Sequence, residues 1–242
     1  MYISIKHNFL TTIETYHLMS SLSLILAESS LEMVPTEIQN HPSVISHSKK
    51  LGKSPSNILL DNSWHYAAMK GIQNENKRGR PDIVHFSLLE ACSIPLYFEK
   101  KLTIYIHTLN DKVIKVGDDI HLPKSFHRFA GLIEKLFYEK RIESRGKKLL
   151  EINDMIFSKL IEEINPKNVI GLSSVGRPSS FCDVARSLTE NSCVVIGGFQ
   201  KSHFSDSTVS KIDQLVNVNS ESLESHVVTA RILYEYEKTI FK

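Results

Sequence analysis

Short apolar runs alternating with helical patterns constrain this chain more than any other feature, and they dominate its last third. NVIGL (168–172), SCVVIGGF (192–199) and QLVNV (214–218) are too short for buried helices and rich in valine and isoleucine. FCDVARSL (181–188) separates the first two as a short helix, and ESHVVTARILYEYEK (224–238) closes the series as a longer one. Parallel strands need a crossover between them, so this alternation predicts an α/β fold with a mostly parallel sheet.

The front of the chain continues the pattern. LSLILA (22–27) reads as a buried strand and SNILLD (56–61) as another, followed by a short helix at SWHYAAMKG with Ser63 as its cap. LTIYIHT (102–108) and KVIKV (112–116), separated by LND, predict a hairpin inserted into this order. SFHRFAGLIEKLFYEK puts Phe126, Phe129, Ala130, Ile133, Leu136 and Phe137 on one helix face, with Ser125 at the cap position. HPSVISH (41–47) reads as a proline- and serine-rich loop.

Composition narrows the function classes. The chain has 29 Lys and Arg against 27 Asp and Glu, a formal net charge of +2. Any nucleic-acid footprint must therefore be local, and KRGR (77–80), LPKSFHR (122–128) and EKRIESRGKK (139–148) are where basic residues gather. A single run of this kind reads first as a solvated face. Cys92, Cys182 and Cys193 show no C-x-x-C spacing, and the 11 histidines are scattered. Neither a disulfide scaffold nor a metal site is expected, and a reducing compartment, the cytoplasm, is. The apolar stretch LMSSLSLILAES (18–29) is too short to span a bilayer, so no membrane association is expected. Residues 1–20 read as an N-terminal extension and residues 21–242 as one domain.

RGRPDIVHFSLLEA (78–91) poses a sharper question. Pro81 suits the first turn of a helix, and Asp82 complements its positive end. Arg78 and Arg80 bring like charge to that end, so they are either solvated or placed for an anion. Lys124 and Arg128 repeat the problem at the next helix start. Backbone donors and cations together would form a phosphate-binding face.

GLSSVGRP (171–178) nearly spells a phosphate-binding loop, but Arg177 and Pro178 stand where the lysine and hydroxyl must be. The paired glycines of IGGF (196–199) end a strand, where ligands of α/β sheets sit. Taken alone they read as a tight turn. Beside the ends of the other two strands, in GLSSVG and VNVNSESL, they could wrap a mostly neutral aromatic ligand such as adenosine.

Read together, RPDIVHFSLLEACSIPL, LTIYIHT and KVIKVGDDIHLPKSFHRFAGLIEKLF resemble the Nep/Emg ribosome-biogenesis proteins, small-subunit rRNA pseudouridine N1-methyltransferases. LILAESSLEMVPTEI, SPSNILLDNSWHYAAMKG and IGGF fit as well, and the resemblance runs from about residue 22 to 236 in order. It implies the SPOUT fold, an α/β trefoil-knot methyltransferase domain with an inserted β-hairpin and helix region. RNA-binding elements would occupy about 77–145 and the knotted cofactor-binding part about 165–238. It further implies S-adenosyl-L-methionine as cofactor, small-subunit ribosomal RNA as substrate and a homodimer.

Carried over to this sequence, the resemblance makes Arg80 and Asp82 the catalytic pair, with Arg80 on the RNA and Asp82 holding it. His85, Lys124 and Arg128 join Arg80 in RNA binding. Ser173 and Gly176 fall in the first cofactor loop, Gly197, Gly198 and Phe199 in the second, and Val218, Asn219 and Leu223 in the third. QKSHFSD lacks the further glycine expected of relatives, and NVNSESLES carries an extra residue. Two other functions share these features: a non-catalytic assembly factor with a residual pocket, and a methyltransferase of the same fold acting on another RNA such as tRNA.

Overall fold

A computed structural model describes residues 22–241; the N-terminal extension at 1–20 lies outside them. Eight strands form one sheet in the order β4-β5-β3-β2-β1-β7-β6-β8. β1 (Leu22–Ser29) is its centre and is buried along its whole length. Leu22, Leu24 and Leu26 face one core, while Ile25 and Ala27 face the other, the two-residue alternation of a strand covered on both sides.

After β1 the chain forms a small helical unit, α1 (Pro42–Leu51) and α2 (Asn62–Met69), over its own cluster of Val34, Ile38, Val44, Ile58, Leu60, Ala68 and Met69. Three sequence readings change here. HPSVISH is the start of a helix, because the His41 side chain accepts from the Ser43 N–H and Pro42 takes the first helical position. The cap of α2 is Asp61, which accepts from the Ser63 N–H at 2.8 Å. SNILLD is a 3-10 turn at Pro55–Asn57 followed by one isolated bridge, Met33 to Leu59. Its backbone bonds go to the loop after β1, not to the sheet: Val34 N to Ile58 O at 3.0 Å and Leu60 N to Glu32 O at 2.9 Å.

α3 (Pro81–Ala91) and α4 (Pro95–Phe98) lead into β2 (Leu102–Thr108) and β3 (Lys112–Val116), the expected hairpin. α5 (Phe126–Glu139) buries Phe129, Ile133 and Leu136, and Ser125 precedes it without a side-chain cap. The charge run EKRIESRGKK turns out to be β4 (Arg141–Ser144), a two-residue turn and part of β5 (Lys147–Asp154). Its charges are satisfied at the surface by the pairs Arg141–Glu151 and Lys147–Asp119.

α6 (Phe157–Ile164), β6 (Asn168–Pro178), α7 (Phe181–Ser187), β7 (Ser192–Gly197), α8 (Asp206–Val209), β8 (Gln214–Asn217) and α9 (Ser225–Ile240) complete the chain. β1 pairs in parallel with β2 and β7, and β6 in parallel with β7 and β8. The inserted β3, β5 and β4 extend the sheet in antiparallel fashion. α3, α5, α7 and α9 contribute to the core on one face of the sheet, and α6 to that on the other.

Candidate active site

The carboxyl ends of β6, β7 and β8 meet in one cleft, as the three loop-like strand ends suggested. Ser173 and Ser174, then Gly197 and Phe199, then Val218 and Asn219 line it, with Leu223 and Ser225 at the start of α9. The cleft takes in about 700 Å³ of space, open solvent included. Ser225 Oγ donates to the Gly197 carbonyl at 2.6 Å and ties α9 to β7. The third loop is shaped by its own amides, Asn219 N–H to Asn217 Oδ1 at 3.2 Å and Asn219 Nδ2 to the Glu221 carbonyl at 2.9 Å. Glu221 and His203, the two ionisable groups of the lining, also face the cleft.

Two expected cofactor residues serve the cleft differently. Leu172 and Arg177 both pair with Val216, so residues 173–176 loop away from the strand. Gly176 closes that loop: a Cβ there would lie 2.5 Å from the Val216 backbone. Gly198 packs against β1, where a Cβ would lie 2.8 Å from Ser29 Cα. Its N–H and C=O bond to Ala27 O and Ser30 N. Both glycines let backbones approach, and neither lines the cleft.

The basic segment is fixed to the end of β1, the neighbour of β7. Lys77 is buried and paired with Glu28, whose φ of 50° turns the chain at the strand end. Burial pushes the Glu28 carboxyl up, but hydrogen bonds from Lys77 and from the Ser205 N–H and hydroxyl bring it below the ordinary value. Arg78 is 8% exposed and grips Glu32 through Nε and Nη2, each at 2.7 Å. Of the two arginines at the helix doorstep, Arg78 is therefore neither solvated nor free for a ligand.

Arg80 is different. Its Nε and Nη2 reach Asp82 Oδ1 and Oδ2 at 2.8 and 2.7 Å, and both side chains stay partly exposed, 23% and 28%. The hydrogen bond to Asp82 strengthens its hold on the proton. The Arg80 N–H donates to Ser30 Oγ at 2.7 Å, and the Ser30 N–H to the Gly198 carbonyl at 2.8 Å. Two hydrogen bonds thus join the guanidinium-bearing residue to the second cleft loop. Lys77 Nζ adds a contact 4.7 Å from the centre of the Phe199 ring, in the cleft wall.

Lys124 and Arg128 are exposed and form no ion pair among the described residues. His85 is buried, 1% exposed, which corrects its placement on the RNA. Its Nε2 donates to the Pro123 carbonyl at 2.7 Å and its ring stacks on Phe129 at 4.4 Å. Burial keeps its pKa below the ordinary value, and Nδ1 has no partner. His85 thus anchors the segment that carries Lys124 and cannot itself reach a ligand on the surface. Sequence reasoning missed Glu28, Ser30, Glu32 and Ser225. The one available signal was ESSLE (28–32), two acids placed after an apolar strand to match the two cations of KR.

A parallel sheet with a small-molecule cleft over three adjoining strand ends, and a paired guanidinium beside it, is the framework of a SPOUT-class α/β methyltransferase. More narrowly, residues 24–237 match the family described as EMG1/NEP1 methyltransferase, and the chain belongs to that family. Among its relatives, the ribosomal RNA small subunit methyltransferase Nep1 of Thermococcus sibiricus is 37% identical over 222 residues, 90% of this chain and 99% of the relative. That of Pyrococcus furiosus is 35% identical over 225 residues, 91% and 98% of the two chains. The crystal structure of Archaeoglobus fulgidus Nep1 bound to S-adenosylhomocysteine superposes with a TM-score of 0.81 at 34% identity, covering 93% of this chain and all of that one.

Proposed function

We propose that the chain transfers the methyl group of S-adenosyl-L-methionine to N1 of a pseudouridine in small-subunit ribosomal RNA, as a cytoplasmic homodimer whose cofactor-binding part is a trefoil knot. The observation that carries this reading is the short link from Arg80 through Ser30 to Gly198, which sets an RNA-competent guanidinium beside the cofactor cleft. Relatives named for small-subunit rRNA methylation, and one seen with the demethylated cofactor, support it.

The cleft fits the cofactor chemically. Its lining combines hydroxyl and amide side chains with an apolar wall that includes Phe199, Phe204 and Leu223, suited to an adenosine, with one carboxylate, Glu221, for the ammonium of the amino-acid tail. Bound there, S-adenosyl-L-methionine supplies a methyl group already activated on a sulfonium. The protein then has mainly to position the nucleophile in line, the effect of proximity and orientation. Asp82 holds the guanidinium plane of Arg80 through both of its oxygens, and Arg80 presents its remaining N–H donors to the RNA. With both oxygens engaged, Asp82 serves as a positioning residue rather than the acceptor of the N1 proton. Lys124 and Arg128 hold phosphates, and the target base must be unpaired to bring its edge to the methyl.

Labelled S-adenosylmethionine offered to two stem-loops of one sequence, with pseudouridine or uridine at the target, tests the reaction. Label on the pseudouridine RNA alone is expected, because uridine carries its sugar at N1. Tight binding with label on neither RNA would make the chain an assembly factor. For the pair, Asp82→Ala is expected to lower RNA affinity and turnover together; lost turnover with intact binding would make Asp82 the proton acceptor.

A further inference from the structure

The α1–α2 unit lines no part of the cleft, and it carries aromatic and basic residues the proposed reaction leaves unused. Trp64, the sole tryptophan, is 46% exposed and Tyr66 is 68% exposed. The indole is held in place: the His47 ring lies 4.5 Å away and 9° from parallel. His47 is fixed in turn by His65. The Asp61 N–H donates to His65 Nδ1 at 3.1 Å, so His65 Nε2 carries the proton and donates to His47 Nδ1 at 3.0 Å.

Each of the two rings has a lysine beside it. Lys50 Nζ lies 4.5 Å from the Trp64 ring and Lys70 Nζ 5.7 Å from that of Tyr66. From Pro42 to Lys70 the sequence holds Lys49, Lys50, Lys53 and Lys70 against Asp61 alone, four positive charges to one negative. Lys53 is occupied by Glu134, whereas Lys49, Lys50 and Lys70 form no ion pair among the described residues. The unit also adjoins the basic segment, with the Asn62 N–H bonded to the Gly79 carbonyl at 2.8 Å. Protein-docking surfaces are depleted in lysine around their aromatic anchors. Rings flanked by mobile ammonium groups match a ligand with both stacking faces and phosphates, which is single-stranded nucleic acid.

We propose that the exposed surface of α1–α2 is a second RNA subsite that follows both flanks of α2, stacking unpaired nucleotides that flank the target on Trp64 beside Lys50 and, on the other flank, on Tyr66 beside Lys70, while Lys49, Lys50 and Lys70 track their phosphates. The inference rests on the reading that the substrate is RNA. It extends the footprint from Arg80 across the Gly79–Asn62 contact.

The sole tryptophan makes the test direct. Two pseudouridine RNAs are compared on the full chain, a minimal stem-loop and the same stem-loop with single-stranded extensions. The extended RNA is expected to quench the Trp64 emission and to bind about tenfold tighter than the minimal one, the scale of one stacked base. Filter binding should show that advantage lost in Trp64→Ala/Tyr66→Ala. It should shrink, with a shallower salt dependence, in Lys49→Gln/Lys50→Gln/Lys70→Gln, which leaves the rings untouched. Equal affinity for both RNAs, or tighter binding without quenching, overturns the subsite while methylation of the minimal stem-loop keeps the proposed reaction standing. Loss of methylation on both RNAs in the wild-type chain would instead remove the reading beneath it.

Discussion

The cleft over β6, β7 and β8 and the basic segment sit on neighbouring strand ends of one sheet, yet they are built from opposite materials. The cleft joins small polar side chains to an apolar wall and carries little charge, and its shape depends on two glycines packed tightly against Val216 and Ser29. The basic segment is three ion pairs in a row, Lys77–Glu28, Arg78–Glu32 and Arg80–Asp82, and only the last keeps appreciable exposure. Charges thus serve two tasks within four residues. The first two pairs fasten the segment to the end of β1, and the third stays partly exposed, as the proposed RNA contact requires.

That division can be broken from either side. The largest effect is expected on stability from Arg78→Met, which strands the Glu32 carboxylate in a buried site. The cost is about 3–5 kcal/mol, read by denaturant unfolding, and Arg78→Met/Glu32→Gln should recover much of it. If Arg78→Met leaves stability unchanged but abolishes RNA binding, the fastening role is wrong.

Acid should loosen the flank of the basic segment next. Burial and the neighbouring His47 lower the His65 pKa to about 4, from an ordinary value of about 6.5 in the unfolded chain. As pH falls below 6.5 the unfolded state takes up the proton first, so stability is complete above that value and declines toward pH 4. The loss attributable to His65 approaches roughly 3 kcal/mol. Burial lowers His85 and His107 too, and they act with the same sign. Thermal melting from pH 7.5 down to 4.5 should show a falling midpoint; a flat profile would contradict the buried neutral imidazoles.

Gly176→Ala strikes the cleft. The added methyl, 2.5 Å from the Val216 backbone, forces β6 and β8 apart; it should weaken S-adenosylhomocysteine binding, measured by calorimetry, and lower turnover by about 10²-fold, the scale of a displacement near 1 Å. Lys124→Ala and Arg128→Ala should act least. Each is expected to weaken RNA binding a few-fold and to reduce the salt slope by about one, without altering cofactor affinity. A cofactor effect from either would erase the separation of the two regions.

Legibility followed the range of the interactions. The strands of the last third, the β2–β3 hairpin and α5 were readable because alternation and helical spacing lie within a few residues. The β4–β5 hairpin hid inside a charge run, since its apolar positions are few and its charges are satisfied across the pair. SNILLD has the composition of a strand, but Glu32 and Val34 take up its backbone groups first. Among the site residues, Ser173, Gly197, Phe199, Val218, Asn219 and Leu223 were found through the family's loops and do line the cleft. His85 was misplaced because a buried and an exposed histidine look alike in a motif.

The sequence by itself determined the class of fold, the family and the Arg80–Asp82 pair, whose members are two residues apart and whose contact is local. Only the tertiary structure decided that Lys77 and Arg78 are fasteners, because their partners stand 49 and 46 residues away. It likewise decided that Gly176 and Gly198 stand where backbone packs closely, against Val216 and Ser29. Which backbone approaches a glycine depends on strand order, and strand order is set by the packing of the whole sheet.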